Sequence, residues 1–246
     1  MYGTGLVVTL RRILGLKPLS AFAEPSYFYT EARKDRLGSL WRERWAGTEP
    51  YIEFRPTDDV LDVGCAEGMI ALELAKSVKH VHGIELEAHK VEKALEFAAE
   101  RGCKNFTAEA IGIEQAEFTP LSYDVVLMQG VYGIPLGPDR SVGPRELGKC
   151  LRSARRQVVI RLNVQDDEKA ERWLPEIFAL CEQQGFDVAA FPKFDRYENL
   201  IVALRRGTDA RLRQVPQLML VPTKLASDHP VAAGVPLAPW RFGRPS

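Results

Sequence analysis

The sequence predicts an α/β fold: a three-layer sandwich around a seven-stranded, mostly parallel sheet that closes with an antiparallel hairpin. Three observations lead there. Short apolar runs alternate with helical patterns from Asp59 onward, the first run breaks into a glycine turn, and the last two runs lie too close for a helix between them.

Residues 1–23 carry Arg11, Arg12 and Lys17 and no acid. Leu6, Val7, Leu10, Ile13 and Leu14 recur at helical spacing, so this segment reads as a basic amphipathic helix that lies on a membrane surface or packs on the domain or a partner chain. The arginine pair imitates a twin-arginine export signal, but Lys17 and Pro18 interrupt the apolar stretch such a signal needs. A second helical stretch, about residues 31–45, gathers Leu37, Leu40, Trp41 and Trp45 on one face.

Val60 to Val63 reads as a buried strand, followed by a glycine turn and a helix from about Met69 to Val78. Val81 to Ile84 is the second strand, and a helix from about Ala88 to Arg101 stops at Gly102, where a left-handed cap is wanted. A third strand starts at Phe106, and Val125 to Met128 is the fourth. A Gly/Pro-rich loop (133–144) and a short helix lead to a fifth strand, Val158 to Ile160, and a helix from about Glu168 to Gln184 follows. Strands at about 186–191 and 200–204 close the domain. Parallel neighbours need a dozen or more connecting residues, so this pair must be antiparallel. Beyond Gly207 come six of the sixteen prolines, which points to an extended or disordered tail.

Composition narrows the function classes. Among 246 residues, 33 Lys+Arg balance 33 Asp+Glu, so no global basic field draws the chain to nucleic acid. The four cysteines form no C-x-x-C pair, which argues against a zinc ribbon and for buried thiols in a reducing, cytoplasmic setting. His80-x-His82 lacks the further ligands a metal site requires, so no metal is expected.

The chemistry concentrates at Asp62-Val63-Gly64-Cys65-Ala66-Glu67-Gly68. Glycines there allow a sharp turn and bring a ligand close to backbone N–H groups at a helix start. A phosphate-gripping loop would need Lys and Ser/Thr after the second glycine, where Met69 and Ile70 stand. A dinucleotide fingerprint would need glycines at Ala66 and Met69. What remains is D-x-G-x-[AG]-x-G with an acid, Glu85, ending the next strand, where it can accept from two ribose hydroxyls.

On these residues the chain, over about 56–206, resembles the class I S-adenosylmethionine-dependent methyltransferases, a Rossmann-like superfamily that also carries the closing hairpin. The resemblance implies S-adenosyl-L-methionine as cofactor. It places Gly64, Cys65, Ala66 and Gly68 in the cofactor turn, with Asp62 orienting it near the methionine amino group. It likewise implies that Glu85 holds the ribose, that Leu86 packs on the adenine, and that Glu109 and Ala110 face the adenine at a place where the family commonly has aspartate. It also implies that Gln129, at the end of the fourth strand, meets the methionine moiety, and Tyr132 on the loop after it is the candidate catalytic group.

The acceptor is less legible. The amino-methylating pattern [DNS]-P-P-[YF] is missing after strand four, and no Pro-Cys or Thr-Cys pair suggests a cysteine nucleophile. Asp139, Arg140, Asn163, Asp166 and Asp167 fall on loops at the carboxyl ends of the strands, where an acceptor would bind. The expected reaction is therefore methyl transfer to a hydroxyl or carboxyl of a small molecule or glycan. Arg152, Arg155, Arg156, Arg205 and Arg206 keep an RNA methyltransferase open, and a cofactor-binding scaffold without catalysis is the remaining alternative. The expected organisation is an N-terminal helical segment that caps the cofactor (1–55, with Tyr27, Tyr29, Arg33 and Arg36), the catalytic domain (56–206) and a Pro-rich tail (207–246).

Overall fold

Strand β1 (Asp59–Val63) is buried on both faces because it is central: β2 (His80–Glu85) lies on one side and β4 (Tyr123–Gln129) on the other, both parallel to it. The computed structural model that defines this arrangement describes Trp45 and residues 48–133, 135–137, 140–163, 167–195 and 198–211. The chain divides into two compact units, 1–46 and 47–246, and of the first only Trp45, a buried residue, is described. The stripe from Leu6 to Leu14, the stretch with Tyr27, Tyr29, Arg33 and Arg36, and the tail beyond Arg211 lie outside the described residues.

Seven strands form one sheet in the order β3-β2-β1-β4-β7-β9-β8, with β3 (Phe106–Ala110), β7 (Ala154–Asn163), β8 (Phe186–Asp195) and β9 (Glu198–Arg205) completing it. Strand β9 runs antiparallel to both neighbours, so the expected closing hairpin is present and its second strand is inserted beside β7. Helices α1 (Met69–Leu74) and α2 (Ala88–Glu100) pack along β2 and β3. Helix α3 (Pro144–Ser153) packs on β4 and β7, and α4 (Asp167–Gln183) on β8 and on α3. Val60, Leu61, Val125 to Met128, Val158 to Ile160 and Leu200 to Ala203 form the dry centre. Among the described residues, no helix is long and apolar enough to cross a membrane.

Three elements differ from the sequence reading. Helix α1 ends at Leu74 rather than near Val78, because the Asn105 side chain captures the following carbonyls: its Nδ2 donates to Ala75 O at 2.7 Å and Val78 O at 3.0 Å. The Gly/Pro-rich loop contains a small antiparallel ribbon, β5 (Pro135–Gly137) with β6 (Arg140–Ser141). The closing hairpin is longer than its apolar runs, because pairing continues to Asp195 and Glu198.

Candidate active site

The site is built at the carboxyl ends of the parallel strands, and the ladder registers define it. Val63 pairs with Ile84 and Met128, Glu85 pairs with Ala110, and Gln129 pairs with Arg161. One step further along β1, the row across the edge therefore reads Ala110, Glu85, Gly64, Gln129, Arg161. In-register residues of a sheet project from the same face, and Asp62, two residues before Gly64, shares it. Gly64 thus stands without a side chain between an acid on one side and an amide and a guanidinium on the other.

Local geometry explains the glycines. Gly64 has φ +74°, and a Cβ there would lie 2.5 Å from Val131 Cγ2, so neither its conformation nor its surroundings admit a side chain. Gly68 caps α1 at φ +74°, with a Cβ position 3.0 Å from that of Ala94. The Gly64 and Cys65 N–H groups donate to Ile84 O at 2.8 and 3.0 Å, so the turn folds back on β2. Ala66, which stands where the middle glycine is common, holds φ +48° in spite of its methyl group. Cys65 is buried, its thiol lies against Gly83, and burial pushes its pKa up.

Glu85 is held from two directions. Its Oε2 accepts the Ala66 N–H at 3.0 Å and its Oε1 accepts the Glu87 N–H at 3.2 Å, which leaves further lone pairs on both oxygens. Leu86, immediately after it, is 63% exposed, a large apolar side chain offered to solvent. Asp62 is 4% exposed, and burial, with the Glu85 charge adding to it, raises its carboxyl from the ordinary 3.8 to about 7. Beside them, Glu67 Oε1 is buried without a partner among the described residues, and so is Gln129 Nε2.

Two expected residues sit differently. Alternation along β3 places Glu109 on the opposite face from Glu85, where its charge acts on His82 and Tyr123. The loop after β3 carries a further acid, Glu114. Its carboxylate folds over Gly112, and its Oε2 is buried with no partner among the described residues. Tyr132 is buried, its hydroxyl donates to Glu176 Oε2 at 3.0 Å, and its ring meets Trp173 edge-on. Burial and the Glu176 carboxylate hold that hydroxyl protonated, which unsuits it as a general base. The side chains of Asp139, Arg140, Asn163, Asp166 and Asp167 lie outside the described residues.

Comparison with known proteins identifies the fold's lineage. A family profile described as a methyltransferase domain matches residues 55–189, more than half of the chain. The chain belongs to this methyltransferase family. It is similar to the aklanonic acid methyltransferase of Streptomyces sp. strain C5, 34% identical over 83 residues, covering 32% of this chain and 37% of that protein. It is also similar to the 23S rRNA (uracil(1939)-C(5))-methyltransferase of Klebsiella pneumoniae, 31% identical over 109 residues, covering 44% of this chain and 24% of that protein. The match thus spans well under half the length of either curated relative. Among solved structures, the fold is similar to that of the YcgJ protein of Bacillus subtilis (TM-score 0.52, 13% identity, 64% of this chain and 95% of that one). A methyltransferase from Aquifex aeolicus is a further match (TM-score 0.50, 18% identity, 75% and 95%).

The methyltransferase's sequence concealed several of the groups found at this edge. Arg161, 3% exposed, reaches Thr48 Oγ1 at 3.3 Å, and nothing before or after it marks it apart from other strand arginines. Lys149 is buried within α3, and its only signal is a cation set among Leu147, Cys150 and Leu151. The Gly64–Val131 approach joins residues distant in sequence, which only the β1–β4 pairing brings together.

Proposed function

We propose that S-adenosylmethionine lies along the edge row and that the methyl group passes to a hydroxyl or carboxyl of a small-molecule or glycan acceptor. Two features suit the cofactor: the side-chain-free turn at Gly64, packed against Val131, and the buried Gln129 Nε2 beside it, which has no partner among the described residues. In this reading Glu85 accepts from the ribose hydroxyls, Asp62 faces the methionine ammonium, and Leu86 covers the adenine with Ala110 beside it. Gly64, Cys65, Ala66 and Gly68 present backbone to the cofactor. Gln129 offers its amide to the methionine moiety. Once bound, the sulfonium supplies an already activated methyl group, so the protein's own task is alignment of the acceptor. Tyr132, locked to Glu176, shapes the wall after β4.

The observation that carries the small-molecule reading over RNA is the fate of the arginine cluster. Arg155 pairs with Asp124 at 3.0 Å, Arg156 with Asp58 at 2.6 Å, and Arg206 with Asp187 at 2.9 Å. Arg205 donates to Leu151 O and Ala154 O. These groups start β7 and end β9, at the opposite end of the sheet from Gly64, and are engaged internally rather than offered to phosphates. The thiols also discourage cysteine attack on a pyrimidine ring. Cys65, Cys150 and Cys181 are buried with raised pKa values, and Cys103 is bonded to Asn105.

The test is transfer of a labelled methyl group from S-adenosylmethionine into an extract of the source cells. The expected product is a small, nuclease-resistant molecule. Alkali would release its label as methanol if a carboxyl had been esterified and leave it in place if a hydroxyl had. Label confined to nuclease-sensitive RNA would overturn the reading.

A further inference from the structure

Lys149 is 8% exposed, and its ammonium is enclosed by the loop that leaves β3. Its Nζ donates to Ala116 O at 2.8 Å, Glu114 O at 3.0 Å and Ile113 O at 3.4 Å, with the Glu117 carboxylate at 3.3 Å. The loop is a single helical turn, in which the Gln115 and Ala116 N–H groups both donate to Gly112 O at 2.9 Å. Carbonyls and N–H groups of such a turn point in opposite directions. Drawing three carbonyls to one cation therefore turns the N–H groups of Gly112, Ile113 and Glu114 away from α3. The same turn carries the Glu114 carboxylate, whose Oε2 is buried without a partner among the described residues. The turn begins two residues beyond Ala110, the register partner of Glu85.

We propose that Lys149 is a positioning residue for cofactor base selectivity: from inside α3 it fixes the turn 112–116, so that this turn discriminates the amino-bearing edge of the adenine. The inference rests on the cofactor placement given above. A lysine suits the task because a compact ammonium can satisfy several carbonyls at once, whereas an apolar residue would leave buried carbonyls unmet. Nothing in this role requires Lys149 to touch the cofactor.

The decisive experiment compares S-adenosylhomocysteine with S-inosylhomocysteine, in which an oxygen replaces the adenine amino group, by calorimetric titration of the full chain. Wild type, Lys149→Met and Lys149→Arg are titrated, and each is melted without ligand. Wild type is expected to prefer the adenosyl compound by about tenfold or more, the effect of losing a hydrogen bond to a charged acceptor. In Lys149→Met that preference falls toward unity, and Lys149→Arg, which keeps a cation with several donors, restores part of it. Amide hydrogen exchange on the wild type supplies a measurement free of folding defects: S-adenosylhomocysteine should slow exchange across 111–116. A Met variant that melts lower but keeps the wild-type preference, or exchange at 111–116 unchanged by ligand, would overturn the inference. Failure of wild type to bind S-adenosylhomocysteine would instead overturn the cofactor placement, and this inference with it.

Discussion

At Asp62 the proposed binding role and stability oppose each other. A carboxyl that titrates at about 7 in the folded chain and near 3.8 when exposed holds, between those values, a proton that the unfolded chain lacks. Its contribution to stability is therefore lost as pH rises from about 4 to 7, and the buried charge weighs on the free protein above 7. Asp62→Asn should stabilise the ligand-free protein at pH 8 by roughly 2–4 kcal/mol, with the gain vanishing toward pH 4, as denaturant titrations at the two pH values would show. An Asn variant less stable than wild type at pH 8 would refute the burial argument. The acid itself was legible in the sequence from its place before Gly64, but its protonation was not, because that depends on burial and on the Glu85 charge from the adjacent strand. Glu109 illustrates the same limit: one position of register decides which face receives a carboxylate, and the sequence around 108–113 holds no turn signal strong enough to fix it.

Strands and helices are legible in the sequence wherever a stop signal closes the periodic pattern. Helix α2 ends beside Gly102 (φ +64°) and α4 before Gly185 (φ +82°), as their patterns predicted. Helix α1 ran shorter because the residue that stops it, Asn105, comes from another loop. The far end of the sheet turns part of the arginine cluster into an element-scale brace. Asp58 and Arg156 are 2% and 6% exposed and bonded at 2.6 Å, and Asp58 also accepts the Arg55 N–H at 2.8 Å, tying the entry of β1 to the start of β7. Removing one partner of a buried pair leaves an uncompensated charge. Arg156→Met should therefore cost on the order of 3–5 kcal/mol in chemical denaturation while leaving S-adenosylhomocysteine affinity unchanged. A loss below about 1 kcal/mol, the range of exposed pairs, would show that water reaches Asp58.

The whole molecule separates these two ends: ion pairs brace the amino ends of the strands, and a sparsely paired row of Glu85, Gly64 and Gln129 opens at their carboxyl ends. Strand alternation and the short final connection were enough to predict the layers and the antiparallel hairpin. The row itself emerges only from pairing, since its members lie at the ends of five strands between Gly64 and Arg161. This row is proposed to hold S-adenosylmethionine, with Glu85 on the ribose. Glu85 also pins the Ala66 N–H, so Glu85→Ala should lower ligand-free stability by about 1 kcal/mol as well as weaken binding. The most direct measurement is calorimetric titration of S-adenosylhomocysteine into wild type and Glu85→Ala at pH 8. One site per wild-type chain is predicted, with affinity reduced about ten- to a hundredfold in the variant. Equal affinities, or no binding by wild type, would contradict it.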